Sequence, residues 1–325
     1  MTDIGSRKKE LEYRVGPLIY MPALRNDIKE KLKAAKTHGI SCTAICLEDT
    51  IRDDKLPEAE KNLVSVIIDI YKGISRGTEQ IEKFPNIFIR VREPEQMKKL
   101  RDMCGESFKL ISGFIFPKIN DLNISDYISA VFDVDSDLFM MPIIENPSLM
   151  NPAKRYKALQ GIYDTLLSCK DNVLNVRVGG NDFSNAVSIC TDVFHTIYDI
   201  APVASLLSDI SAFFTSDFTV SAPVWNYFDG RNWAEGMKKE MDKDRYYGFI
   251  GKTVIHPRQI PVVLEYMKIP RSEYDAAQLI LKSDGEIQAF NCGGRMYENK
   301  VHTKWAKRTV KLAEVYGVRS DEENI

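Results

Sequence analysis

The chain has 325 residues, 44% hydrophobic and 28% charged, which is apolar material enough for a sizeable core and length enough for one α/β barrel with an appendage. A formal net charge of −2 argues against a nucleic-acid or anionic-membrane surface, and no apolar run approaches the ~20 residues that span a bilayer. The six cysteines form no C-x-x-C pair, and Cys42 and Cys46 fall on an apolar run that suits core thiols, so a protein of a reducing compartment, the cytoplasm, is expected.

Residues 1–15 are polar and charged, lack the apolar stretch of a secretory signal, and are expected to be flexible. Gly16 to Met21 (GPLIYM) reads as a first strand ending at Pro22-Ala23-Leu24-Arg25, with Asn26 placed to cap a helix over 27–36. Ser41 to Leu47 is a second strand closed by Glu48-Asp49, and a helix over 57–71 follows with Pro57 in its first turn. Asn86 to Val91 (NIFIRV) is a third strand carrying Arg90, followed by a helix over 94–103. Ile111 to Phe116, stopped by Pro117-Lys118, is a fourth, followed by a helix over 120–131. Two further apolar runs end on a carboxylate: Leu138 to Ile144 on Glu145, and Val173 to Val178 on Asp182 after Gly179-Gly180. A helix over 152–168 separates them. Beyond Asp182 the spacing is helical over 185–197 and 203–214. Phe218 to Val224 and Phe249 to Ile255 read as the seventh and eighth strands, with an amphipathic helix over 232–245 between them and His256-Pro257 at the close.

Short apolar runs alternating with helical periodicity make parallel βαβ units. About eight of them predict an α/β fold, a (β/α)8 TIM barrel over 16–268, with an open doubly wound sheet as the alternative. Residues 269–325 exceed what a barrel needs and read as a C-terminal helical extension. Its helices are expected over 272–282 and 302–316, with a Gly-containing loop or hairpin over 289–298 and a frayed acidic end from 319. Such an extension suits a cap on the barrel or a contact with another subunit.

Chemistry in such barrels sits where strands leave the sheet at their carboxyl ends. The polar residues there are Arg25, Glu48, Asp49, Arg90, Lys118, Glu145, Asp182 and His256. If the fifth and sixth strands are neighbours, Glu145 and Asp182 emerge side by side. Two hard oxygen ligands with glycines between them suit a divalent cation that keeps positions open for substrate. No Ser-His-Asp order, nucleophile elbow, Gly-x-Gly-x-x-Gly or zinc motif competes with that reading. Each residue also has a structural alternative. Glu145 suits a helix cap and Asp182 an Asx turn, while Glu48 and Asp49 could pair with Arg52. Arg90 needs a buried anion, whether structural carboxylate or substrate. Lys118 suits a solvated turn, His256 a packed helix start and His38 a helix surface.

Several motifs occur in a telling order. Tyr20-Met21-Pro22-Ala23-Leu24-Arg25 stands where one known family has F-V-P-G-x-R, and Cys46-Leu47-Glu48-Asp49 where it has D-L-E-D. Ile89-Arg90-Val91-Arg92 falls at its R-V-N strand, Phe116-Pro117-Lys118-Ile119 at its L-P-K, and Ile144-Glu145-Asn146 at its I-E-T. Gly179-Gly180-Asn181-Asp182-Phe183 is similar to its G-x-x-D-L, and the stretch from Gly248 to Ile260 to its G-F-x-G-K-x-x-I-H-P-x-Q-I. From Tyr20 to about Val318 the chain thus resembles the citrate-lyase β-subunit-like branch of the HpcH/HpaI aldolase superfamily. Its overall cast is similar to the divergent C–C bond lyase branch found alongside tellurium-resistance biosynthetic genes.

The resemblance implies a TIM barrel that assembles into homo-oligomers, trimers or hexamers. It implies Mg²⁺ held by Glu145 and Asp182, with Glu48 and Asp49 lining the metal's outer shell and serving catalysis. Arg90 would grip a substrate carboxylate, with Arg25 and Lys118 as further substrate contacts. The reaction implied is cleavage or formation of a C–C bond beside a carbonyl, in a small carboxylate substrate or its CoA thioester, through a metal-stabilised enolate. Cys46 in place of the first acid, Ala23-Leu24 in place of a glycine loop and Asn146-Pro147 in place of a small hydroxyl residue depart from the pattern. They motivate an alternative: a catalytically silent barrel kept as a structural subunit of a biosynthetic complex.

Overall fold

A computed structural model describes residues 3–282, 289–292 and 294–321. It divides into two compact units, Met1–Ile260 and Pro261–Ile325. In the first unit α1 (Ile4–Leu11) precedes β1 (Pro17–Pro22), and then come α2 (Ile28–Thr37), β2 (Cys42–Cys46), α3 (Leu56–Ser75), β3 (Asn86–Arg90), α4 (Glu95–Cys104), β4 (Ile111–Phe116), α5 (Ile124–Val134), β5 (Phe139–Ile144) and α6 (Pro152–Ser168). They are followed by β6 (Val176–Val178), α7 (Gly180–Ala186), α8 (Ala201–Phe214), β7 (Val220–Ser221), α9 (Trp233–Tyr246), β8 (Lys252–Val254) and α10 (Gln259–Tyr266), inside which the division between the units falls.

The 8-stranded sheet has the order β7-β6-β5-β4-β3-β2-β1-β8, and every pairing is parallel. The two end strands meet through a bridge between Ala222 and Lys252, where the Ala222 N–H donates to Gly251 O at 3.1 Å. The sheet therefore closes into a (β/α)8 barrel, which removes its edges.

Register shows which side chains face the lumen. Tyr20 aligns with Ala44, Ala44 with Phe88, Phe88 with Gly113 and Gly113 with Phe139. Two residues on, Pro22, Cys46, Arg90, Ile115 and Met141 align in the same way, and Ile143 aligns with Arg177. Leu18, Ala44, Phe88, Ile115, Phe139, Met141 and Ile143 fill the lumen, so the barrel is a packed core with its polar residues at the carboxyl end. The surrounding helices turn an apolar stripe inward, as α3 does with Leu63, Ile67 and Ile70. The start of α6 is set by Pro152 and by the Asn151 side chain, which accepts the Ala153 N–H.

Four local expectations are corrected. Residues 1–15 are not all without structure: α1 forms because Ile4 and Leu11, seven apart, share a face and pack against the lumen cluster. Arg7 Nη1 donates to Asp137 O at 3.0 Å and Lys8 Nζ to Lys170 O at 2.6 Å, so α1 covers the amino-terminal end of the barrel. The helix over 185–197 is absent. Ser188 adopts φ 56°, which ends α7, and a capping box between Thr196 and Asp199 starts a separate short turn over Ile197–Asp199. The first residue before α2 is Asp27, not Asn26, and its side chain makes no cap. Strands six to eight are shorter than their apolar runs, and α10 was not anticipated after His256-Pro257.

The second unit holds β9 (Ile269–Pro270), α11 (Arg271–Lys282), β10 (Ala289–Cys292), β11 (Arg295–Glu298), α12 (Asn299–Tyr316) and β12 (Val318–Arg319). Strands β10 and β11 form an antiparallel hairpin, and β12 pairs with β9 in parallel. Ala276, Ala277, Ile280, Tyr297 and Ala306 make its small core. The unit begins at Pro261 rather than 269, and of the end expected to fray, 322–325 lie outside the described residues. Among the described residues no helix is long and apolar enough to cross a membrane.

Candidate active site

Five adjacent strands, β2 to β6, deliver polar residues to one end of the barrel. Glu48 and Asp49 follow β2, Arg90 ends β3, Lys118 follows β4 and Glu145 follows β5. Asp182 lies beyond β6, in the first turn of α7, where a carboxylate favours the helix start.

Arg90 is the hub. Its Nη2 lies 2.5 Å from Glu48 Oε2, 2.8 Å from Asp49 Oδ2 and 3.3 Å from Glu145 Oε1. Among the described residues its buried Nε donates no hydrogen bond, and Nη1 has no partner either. Lys118 Nζ lies 2.7 Å from both Glu48 Oε1 and Asp49 Oδ1. The Lys118 backbone takes φ 49°, an uncommon conformation for a side-chain-bearing residue, and its N–H donates to Glu145 Oε1 at 3.0 Å. The Asn146 side chain supports this turn by donating to Lys118 O at 3.2 Å. Arg92, next along from Arg90, instead braces the loop after β2 by donating to Leu47 O at 2.7 Å and pairing with Asp53.

These contacts sort the protonation states. Burial pushes Glu145 up; Arg90 opposes this while the Asp182 charge adds to it, and the carboxyl reaches a pKa of about 7. Burial likewise raises Glu48, against the pull of Arg90. Burial works against the Asp49 charge too, but its contacts with Glu48, Lys118 and Arg90 prevail and lower it to about 2. Part burial disfavours the Lys118 charge, yet its bonds to Asp49 and Glu48 raise its pKa above the ordinary lysine value.

The two glycines before Asp182 are there for space. A Cβ on Gly179 would lie 2.3 Å from Glu145 Oε2, and one on Gly180 would lie 2.4 Å from Ile197 Cδ1. Among the described residues no donor reaches Glu145 Oε2, and the Asp182 carboxylate makes no hydrogen bond or ion pair. No group of three or more His, Cys, Asp and Glu side chains is arranged for a metal among the described residues. The fit to a cation is therefore that of a pair. Two hard oxygen donors, left unpartnered and mutually repelling, suit an ion such as Mg²⁺ that takes few protein ligands and keeps the remainder for water and substrate.

Of the residues singled out above, Glu48, Asp49, Arg90, Lys118 and Glu145 meet directly, and Asp182 joins them through its field on Glu145. Arg25 does not. It forms a two-point pair with Asp27, at 2.8 Å for both bonds, with its side chain 42% exposed and no contact to the cluster. Arg52 pairs with Asp54 rather than with Glu48 or Asp49. His256 stacks on Phe228 with ring centroids 4.5 Å apart, a packing role, and His38 bonds its own helix at Ala34 O. Two lumen residues lie beside the site without being among its sequence candidates, Tyr20 and Arg177. Arg177 carried the same signal as Arg90, a guanidinium on an apolar strand.

A family model described as C–C bond lyase of the TIM-barrel fold matches residues 9–318. The chain belongs to this C–C bond lyase family. It is an enzyme of the carbon–carbon lyase class. The mitochondrial citramalyl-CoA lyase of Homo sapiens is 24% identical over 316 residues, which is 91% of this chain and 84% of that one. A citrate lyase from Burkholderia xenovorans superposes with a TM-score of 0.70 at 12% identity, over 95% of this chain and 94% of that one. CitE of Mycobacterium tuberculosis, solved with magnesium, acetoacetate and coenzyme A, gives a TM-score of 0.60 at 18% identity, over 93% and 99%. At these identities the structural likenesses speak for the barrel fold.

Proposed function

We propose that this lyase cleaves the C–C bond beside a carbonyl in a carboxylate-bearing hydroxy- or oxo-acid, free or as its CoA thioester, with Mg²⁺ as cofactor. What carries the reading is the pair of unpartnered carboxylate edges, Glu145 Oε2 and Asp182, at the ends of adjacent strands. They would hold the ion, which when bound supplies Lewis-acid polarisation of the substrate carbonyl. The Homo sapiens relative is named for citramalyl-CoA, and CitE was solved with magnesium, acetoacetate and coenzyme A, in keeping with both the thioester form and the cofactor.

The chain's own residues do the rest. Arg90 is pinned through Nη2 to three carboxylates, so its free Nη1 has a fixed direction in which to meet a substrate carboxylate. Lys118 holds Glu48 and Asp49 beside it. For a 3-hydroxy acid, Glu48, its basicity raised by burial, accepts the hydroxyl proton while the bond between the hydroxyl-bearing carbon and its neighbour breaks. That electron pair passes into the enolate of the departing acyl fragment, the hydroxyl carbon becomes a carbonyl, and the proton returns to the enolate carbon.

Calorimetric titration of Mg²⁺ into wild type and Glu145→Gln tests the premise. Wild type should bind the ion, and the variant at least about tenfold more weakly, as for the loss of a charged ligand. Equal affinity, or no binding by wild type, would remove the metal from the account.

A further inference from the structure

The lumen directly below the carboxylates holds donors that the scheme above leaves idle. Arg177 on β6 is 1% exposed. Its Nη2 lies 2.5 Å from Thr253 Oγ1 and its Nη1 3.4 Å from Asn175 Oδ1, while Nε has no partner among the described residues. Among the described residues no carboxylate pairs with it, so a full positive charge is buried with only neutral contacts, an arrangement that is costly unless something negative uses it.

Tyr20 connects this charge to the site. Its ring lies 5.8 Å from Arg177 Cζ and 5.9 Å from Arg90 Cζ, within cation–π range of both. The phenol is near enough to Glu145 to feel its charge. Tyr20 is half-buried, and among the described residues none bonds to its hydroxyl, which is left for solvent or a ligand to meet. Tyr20 thus stands beside two guanidiniums, with its hydroxyl and Arg90 Nη1 both lacking an acceptor among the described residues, and what would complete such donors is an anionic oxygen, not a cation.

We propose that Tyr20 is a further catalytic residue, its hydroxyl donating a hydrogen bond to the substrate oxygen that becomes negative as the C–C bond breaks, with the Arg177 charge beneath it favouring that negative charge. The proposal rests on the lyase reading, since it needs an oxygen whose charge grows during reaction. Packing alone does not account for the hydroxyl, because phenylalanine would fill the same space between the two guanidiniums.

Tyr20→Phe is the test, because it removes one oxygen and keeps the ring. The probes are oxalate, a planar dianion with an oxyanion where an enolate oxygen would stand, and pyruvate, which lacks it. With Mg²⁺ present, oxalate affinity measured by calorimetry should fall by about 10²-fold in the variant, as for loss of one oxyanion donor, and pyruvate affinity by no more than about threefold. Mg²⁺ affinity without oxalate and the melting temperature should match wild type. Equal oxalate affinity in variant and wild type overturns the proposal, as does failure of wild type to bind oxalate. If wild type proves not to bind Mg²⁺, the metal reading fails by itself. The metal-free oxalate comparison then decides for Tyr20, with a weaker variant supporting it and an equal one overturning it.

Discussion

Gly179→Ala isolates the one steric condition on which the site depends. Gly179 has φ −97° and ψ 101°, extended backbone that alanine adopts without strain. The added Cβ, however, would lie 2.3 Å from Glu145 Oε2, 2.4 Å from Glu145 Cβ and 3.1 Å from Glu145 Cδ. Carbon atoms in contact normally sit about 3.5–4.0 Å apart. A rotamer change can move the carboxylate but not the Glu145 Cβ, so the backbones after β5 and β6 must part by about 1 Å. They are joined there by the Gly179 N–H, which donates to Ile144 O at 3.1 Å. Overpacking of this kind costs about 1–3 kcal/mol in stability. A misplacement of about 1 Å in a positioned site costs about 10²-fold in rate. The variant should therefore still fold, melt lower by an amount consistent with that strain, and lose most of its Mg²⁺ affinity in a calorimetric titration. Wild-type melting together with wild-type Mg²⁺ affinity would show that Glu145 is not held where a metal site needs it.

Two further outcomes follow from charges elsewhere in the first unit. Lys252 is fully buried, with Nζ 2.7 Å from both Glu240 Oε1 and Asp244 Oδ2, and Tyr198 donates to Asp244 at 2.6 Å. Lys252→Met strands two buried acids and should lose about 3–5 kcal/mol in denaturant unfolding. Burial, against the pull of Lys252, raises Asp244 to about 6. An acid raised in the fold lends stability below its unfolded pKa and loses that contribution as pH rises through the folded value, so the deficit of the variant should be larger at about pH 8 than at about pH 5. A deficit that does not grow with pH would contradict this. Arg25→Ala, by contrast, removes only an exposed pair with Asp27 and should leave Mg²⁺ and oxalate affinities at wild-type values. A tenfold loss of either would return Arg25 to the site.

How far the sequence could be read depended on what ends each strand. Strands β1 to β5 are apolar runs stopped by proline or charge, and the structure places them within two residues of the expected bounds. Around β6 to β8, side-chain bonds stand beside a sparse set of backbone ladder bonds. Asn175 bonds to Thr219 O, Thr219 Oγ1 donates to Leu174 O at 2.9 Å, and Ser221 Oγ donates to Ile250 O at 3.0 Å. Apolar runs there continue past the paired residues, which is why the strands looked longer. Helix α10 was missed because it is only 8 residues long and contains Pro261. Acids at strand ends were legible, since βα alternation alone sends them to one rim. Their partners were not. That Arg90 would bind three carboxylates through a single nitrogen depends on register between β2, β3 and β5, and a tyrosine on an apolar strand reads as core until its neighbours are known.

The charge at the barrel mouth ties these observations together. Glu48, Asp49, Glu145 and Asp182 contribute four carboxylates against the two cations Arg90 and Lys118, an excess of two negative charges if every group is ionised. Such a rim repels a carboxylate substrate, and at short range in a poorly solvated cleft the repulsion is several-fold stronger than in water. The raised Glu145 is one response of the protein alone: it tends to keep a proton near neutral pH. A divalent cation on Glu145 and Asp182 is the other, and it cancels the same excess. By register Arg90 lies opposite Cys46 and Arg177 opposite Ile143, each two residues inward of an acid of the rim, where a substrate anion would meet them once that excess is neutralised. Cation first and anion second is the order this electrostatic layout favours, so oxalate affinity should rise steeply with Mg²⁺ in a calorimetric titration. Oxalate binding independent of Mg²⁺ would mean that the acids and the donors serve separate purposes.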